Sequence, residues 1–366
     1  MNNQKTPAAL ARRAATDEDY RRLGLRRSTV EPWEDGARTD NAPNTYEWWY
    51  FDAHLDGGGK LVVIWMNKLL AEQDKPLEPW FRFDLELPDG RKFSTLEKFP
   101  ADSWAASPDG LDVGIAGNTL RGDLDELRIS AASAGATVEV TMTPKVRAWR
   151  PETGHFYFGG GRDKLFAWLP AMPIGQVEVT YSVDGESTTV SGVGYHDHQW
   201  GNEPLPAIIN DWYWGRGEAG PYSVIAFFIT AAASYGYGTL PIFFLARHDE
   251  IVAADADKVR FETENVYTDE YTGKPVAGTH RYRYTDGDDE YIVEFVRDRD
   301  ITQRRMIDDL TPERRKRAED EGFNGAYIRF TGTLTIEKLH AGETVESFSE
   351  PSAIWELMYF GAPHAG

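Results

Sequence analysis

Asp-Gly pairs recur between short stretches in which apolar and polar residues alternate, and that arrangement confines the chain to antiparallel β structure. Asp56-Gly57, Asp89-Gly90, Asp184-Gly185 and Asp286-Gly287 supply the positive-φ positions that tight hairpins demand. Trp80 to Leu87 (WFRFDLEL), Ala136 to Thr143 (ATVEVTMT), Gln176 to Val183 (QVEVTYSV) and Tyr291 to Arg297 alternate with the two-residue period of a half-buried strand. One stretch reads clearly as helix: Thr311 as N-cap, Pro312 at the first helical position and a charged run that stops near Gly322. It carries no apolar stripe and therefore belongs on an exposed loop. A weaker cue has Thr16 capping Asp17 to Leu25. There is no βαβ rhythm and no short repeat, which argues against a Rossmann sheet or a propeller and leaves an all-β fold of barrels or sandwiches.

A chain of 366 residues is long for one core, so two β domains are expected. Residues 1–42 are polar and read as an arm, 43–205 as the first domain and 206–366 as the second. The boundary is placed near Pro204 and Pro206, where proline interrupts strand pairing and a new apolar series starts at Ile208. The formal charge of -20 disfavours nucleic acid and anionic lipid as partners. The N-terminal stretch has no apolar segment of signal-peptide type and no segment is suited to span a bilayer, so the expected location is the cytoplasm. Twelve Trp, 17 Tyr and 18 Phe serve equally well as core filler or as walls of an apolar pocket.

Three dense segments carry the candidate chemistry. In Glu47-Trp48-Trp49-Tyr50-Phe51-Asp52-Ala53-His54-Leu55, strand geometry puts Trp48, Tyr50, Asp52 and His54 on one face and the apolar residues on the other. In Tyr195-His196-Asp197-His198-Gln199-Trp200 the two imidazoles and the indole share a face opposite Tyr195 and Asp197. In Asp211-Trp212-Tyr213-Trp214 the two indoles share a face. The flanking glycines admit either a ligand or a neighbouring backbone. His-x-His is also a metal-ligand spacing with His54 as a conceivable third ligand, but without cysteine or a clear fourth ligand, acid–base use or structural hydrogen bonding is preferred to a metal. No phosphate loop, dinucleotide fingerprint or nucleophile elbow is present, so hydrolase, NTPase and dehydrogenase readings have little support.

These residues resemble the hydroxyneurosporene synthase, or carotenoid 1,2-hydratase, superfamily, which includes AttH-like proteins, kievitone hydratase and fungal Diels–Alderases. The resemblance rests on EWWYFDAHL at 47–55, PIGQVEVTYSVDG and GYHDHQWGN between 173 and 202, DWYWGR at 211–216, and WELMYFG at 355–361. It implies a tandem pair of lipocalin-like barrels acting without a redox cofactor, with catalytic His198 and Trp200 in the His-x-Trp of the motif. The Tyr and Asp on which the carotenoid hydratases also rely have no evident counterpart, since Tyr222 to Thr230 offers no Asp.

The reading that results is a hydratase or dehydratase acting on an alkene of an apolar terpenoid or prenylated compound. Its catalytic residues are Asp197, His198, His196 and Trp200; Glu47, Trp48, Tyr50, His54, Tyr195, Trp212 and Trp214 line the substrate site. The alternatives are a cyclase or isomerase of a polyene and a lipocalin-like carrier without turnover.

Overall fold

In the computed structural model, which describes residues 10–320 and 323–363, each of the four Asp-Gly pairs closes an antiparallel hairpin with its glycine at positive φ. Two antiparallel sheets result. The N-terminal sheet runs in the order Lys92–Lys98, Trp80–Glu86, Lys60–Met66, Tyr46–Leu55, Glu186–Gly201, Leu165–Val183, Ala136–Pro144, Leu127–Ser133, Asn118–Gly122, Asp112–Ile115, Trp104–Ala106. A hydroxyl hydrogen bond of 3.2 Å between Thr95 and Ser133 brings its first strand back to the eighth, so the sheet curls toward a barrel. The C-terminal sheet has nine strands. Phe228, on its third strand along the path, stacks on Phe261 of the last at 4.1 Å, and this sheet curls too.

Each sheet buries one face. In the Ala136–Pro144 strand, Ala136, Val138, Val140 and Met142 point into a core shared with Val177, Val179 and Val183 of the adjoining strand, while Thr137 and Glu139 face water. Each of these Val and Met side chains contributes about 1.5–3 kcal/mol. The chain divides into two compact units: residues 13–157 with 162–204, and residues 205–363 with 10–12 and 158–161. No helix among the described residues is long and apolar enough to cross a membrane. The exposed charged helix spans Pro312–Asp320 and is braced by Arg315–Glu319 and Lys316–Asp320 pairs; its expected stop at Gly322 lies outside the described residues.

Of the segment read as a polar arm, residues 13–42 pack within the N-terminal unit at several points. Thr16 caps Asp17–Leu23 through reciprocal bonds with Asp19, and Pro32 opens a 3-10 turn, Pro32–Asp35. Asp19, Tyr20, Glu34 and Asp35 are all buried. Gly36 follows because a Cβ there would stand 2.7 Å from the Pro108 carbonyl oxygen.

In the C-terminal core, His280 stacks on Phe295 at 4.9 Å and lies 4.9 Å from Tyr213, and its Nδ1 meets no hydrogen-bond partner among the described residues. Burial pushes its pKa down to about 3. Because the unfolded chain takes up this proton at ordinary histidine pKa and the native state refuses it, stability falls as pH drops below about 6.5. His280→Phe removes that dependence. Between pH 7 and pH 5 the stability difference between the variant and the parent should move by about 2 kcal/mol in the variant's favour, measured by thermal or urea unfolding. A pH-independent difference would show that His280 is not held neutral.

Candidate active site

The central pairing of the N-terminal sheet sets the site. Strands Tyr46–Leu55 and Glu186–Gly201 run antiparallel, with Trp200 opposite Glu47, His198 opposite Trp49 and His196 opposite Phe51. Directly opposed residues share a face, so the two imidazoles and the Trp200 indole lie with Glu47 and Trp49, on the core side. Tyr195, Asp197, Tyr50 and Trp48 lie on the other side. The sequence had grouped Trp48 and Tyr50 with the imidazoles; the register separates them.

Asp35 reaches the imidazoles from the 3-10 turn, which is fixed by the Trp49 indole N–H donating to the Asp35 carbonyl at 2.9 Å. His196 bonds the Tyr50 carbonyl through Nδ1 at 2.8 Å and Asp35 Oδ2 through Nε2 at 3.0 Å. His198 bonds Glu47 Oε1 through Nε2 at 2.8 Å, and its Nδ1 stands 3.7 Å from Asp35 Oδ1. Glu47 also accepts the backbone N–H groups of Arg38 and Thr39 and the Thr39 hydroxyl. The four side chains are at most 2% exposed. Burial opposes a charge on His196, but the adjoining Asp35 carboxylate outweighs it and raises the imidazole pKa above its ordinary value. His198 is stacked on Trp49 at 4.2 Å and sits 4.7 Å from Trp200. The four residues thus form two buried carboxylate–imidazole pairs, His196–Asp35 and His198–Glu47, the second against two indoles; His198 Nδ1 and Asp35 Oδ1, which face each other across 3.7 Å, have no hydrogen-bond partner among the described residues.

Asp197 accepts from Tyr195 Oη at 2.6 Å, Trp168 Nε1 at 2.8 Å and Gln199 Nε2 at 3.2 Å. Burial raises its pKa, and those hydrogen bonds hold it back only in part. Tyr50 donates to Asp52 and stands edge-on to Tyr195. Asp197 therefore fixes an indole from behind.

That indole and Trp200 belong to one cavity of about 180 Å³, where they are joined by Trp33, Arg38, Arg150 and His155. Gly154 also lines it, at positive φ, where a Cβ would come within 2.8 Å of the Trp168 carbonyl oxygen. His155 meets the Trp200 ring edge-on at 5.3 Å, and its Nδ1 lies 2.8 Å from the Thr153 carbonyl. Burial, only partly offset by that carbonyl, lowers its pKa to about 4. A neutral ring whose Nδ1–H donates to the carbonyl keeps the Nε2 lone pair as an acceptor. The sequence reading missed this residue, along with Asp35, Trp33, Arg38 and Trp168. The Pro-Trp-Glu-Asp-Gly turn was the available sign of the first two.

The remaining candidates lie elsewhere. His54 is exposed, opposite Val193. Trp212 and Trp214 are half-buried in the C-terminal unit, where Trp212 donates to Glu356 and packs on Phe227 and Phe360. Trp48 stacks on Tyr46. The glycines of the motif serve close packing: a Cβ on Gly192 would strike the His54 carbonyl, and one on Gly194 would lie 2.5 Å from Val177.

Residues 127–308 match the Diels–Alderase-like family model. The chain is 29% identical over 203 residues to the quinolone epoxide rearrangement protein asqO of Emericella nidulans, covering 50% of this chain and 53% of that one. It is 24% identical over 239 residues to the acyclic carotenoid 1,2-hydratase of Thiocapsa roseopersicina, covering 62% and 57%. The chain thus matches little more than half the length of these relatives. In fold it is similar to a putative AttH from Nitrosomonas europaea, with a TM-score of 0.54 at 17% identity, over 90% of this chain and 96% of that one. The all-β architecture expected from the alternating segments is therefore shared with the putative AttH, and residues 127–308 are similar to the Diels–Alderase-like family, with a carotenoid 1,2-hydratase and a quinolone epoxide rearrangement protein among the chain's relatives.

Proposed function

We propose that the protein is a cofactor-independent lyase or isomerase that acts on an apolar, unsaturated small molecule by proton transfer, with hydration of a terpenoid or prenyl alkene as the leading reaction. The observation that carries this reading is the meeting of Trp33, Trp168, Trp200 and His155 on one cavity, with His198 one ring behind its wall. Protonation of a trisubstituted alkene leaves a tertiary cation, which indole faces stabilise by about 1–2 kcal/mol each where water is excluded. The paired carboxylates of Asp35 and Glu47 lie on the same side of the sheet as Trp200 and favour positive charge there.

In this scheme the His196–Asp35 and His198–Glu47 pairs serve as a proton chain behind the cavity wall, and cavity water carries the proton from them to the alkene. A water molecule adds to the cation, and neutral His155 takes the proton that the water gives up. Of the two donors the sequence offers, Asp197 and His198, the first is reassigned to holding Trp168. The names of the two relatives describe a rearrangement and a hydration, and both kinds of step are served by proton delivery to an electron-rich group of an apolar molecule.

The test begins with native mass spectrometry of the purified protein to identify an apolar passenger retained from expression. That compound is then incubated with the protein in water labelled with both deuterium and ¹⁸O. Hydration puts ¹⁸O and deuterium into the product, whereas isomerisation puts in deuterium without ¹⁸O. Return of the unlabelled compound would end the enzyme reading and leave a carrier.

A further inference from the structure

The charges around the cavity are paired off with one exception. Glu34 is bound to Arg150, Asp35 to His196, and Glu47 to His198 and the Arg38 and Thr39 backbone. Arg150 is neutralised by Glu34 in turn, and it also donates to the carbonyls of Arg26, Thr29 and Glu152. Arg38 differs. Its guanidinium donates to the carbonyl oxygens of Gly36 and Pro108 and lies 5.0 Å from the Trp33 ring, and no carboxylate stands within ion-pair distance of it among the described residues.

A half-buried guanidinium held in place by two carbonyls keeps part of its donor fork unspent. Here it lies on the wall of a cavity otherwise furnished by Trp33, Trp168 and Trp200. A cavity of this size accepts a ring or a branched prenyl unit, as roughly 150 Å³ suffices for benzene. Three indoles select an apolar body, and a cation beside them that feels Glu47, Glu34, Asp35 and Asp109 only at a distance and forms an ion pair with none of them selects one negatively charged oxygen group.

We propose that Arg38 is a specificity-determining residue that binds a carboxylate or enolate oxygen carried by an otherwise apolar, unsaturated substrate. This rests on the reading of the N-terminal cavity as the substrate site. It narrows the substrate class from neutral hydrocarbons to acidic terpenoid or prenylated compounds, and it sets the ligand's direction, with the anionic oxygen at Arg38 and the alkene toward Trp200 and His155.

The test measures binding of two probes at neutral pH by quenching of tryptophan fluorescence: geranate, a branched dienoic acid, and geraniol, the corresponding alcohol. The parent protein should bind geranate about tenfold more tightly than geraniol or better, as expected for a charge-assisted bidentate contact. Arg38→Met should weaken geranate by about that factor and geraniol by less than about twofold. Arg38→Lys keeps the charge without the fork and should retain part of the preference, which guards against a Met variant that loosens the turn at Gly36. Equal affinity for the two probes in the parent, or an unchanged preference in Arg38→Met, overturns the assignment of Arg38 while leaving the cavity as the binding site. Absence of binding by either probe overturns the cavity reading and this proposal with it.

Discussion

Replacing Arg150 by methionine is expected to lower the unfolding free energy of the N-terminal unit by about 3–5 kcal/mol, because the substitution leaves Glu34 as an uncompensated buried charge. The two side chains are 3% and 4% exposed and meet at 2.6 Å. A second contact, from Arg150 Nη2 to Glu34 Oε1 at 3.3 Å, makes the pair bidentate. The same guanidinium also satisfies the carbonyls of Arg26, Thr29 and Glu152, so its loss orphans acceptors at both ends of the segment that carries Trp33 and Asp35. Urea unfolding followed by tryptophan fluorescence measures the change. The double variant Arg150→Met, Glu34→Leu should recover much of the loss, since removing both charges avoids the desolvated carboxylate. A single variant within about 1 kcal/mol of the parent would mean that water reaches Glu34 and that the segment is not anchored by this pair.

That anchor also shows where the sequence stops being informative. Strands were legible because alternation such as ATVEVTMT is a local consequence of one-sided burial, and the hairpins because Asp-Gly supplies positive φ within two residues. The helix start at Thr16 was legible for the same local reason. Residues 26–42 were read as a solvated arm because a buried charge and an exposed one look identical until the partner is known. Glu34 finds Arg150 116 positions away, and His196 finds Asp35 161 positions away.

Face assignment within a strand was equally local and held: His196, His198 and Trp200 do share a side. Which face of the Tyr46–Leu55 strand they meet depends on register between strands, and a shift of one residue exchanges the faces. Opposing Trp200 to Glu47 kept Glu47 in the site, brought in Trp49 and sent Trp48 and Tyr50 to the reverse side with Asp197. His155 follows a Thr-Gly turn in a segment with no alternation to mark it, and only the fold brings it to Trp200.

The proton chain yields the second large effect. With the passenger compound as substrate, His198→Phe should reduce turnover by about 10²–10⁴-fold, the usual worth of a positioned acid or base. Phenylalanine keeps a flat ring between Trp49 and Trp200, and Glu47 retains its three other donors, so folding should survive. Asp35→Asn makes a different demand. The Asp35 carboxylate raises the pKa of His196 against the opposing effect of burial, so its neutralisation should let that proton go at lower pH and shift the activity profile toward acid. A merely structural tie predicts something else for both variants: a lower melting temperature, unchanged activity per folded molecule and an unmoved pH profile. Two imidazoles and two carboxylates buried together are an expensive way to join two strands and a turn, and the position of the pH profile decides whether that cost serves the chemistry or only the fold.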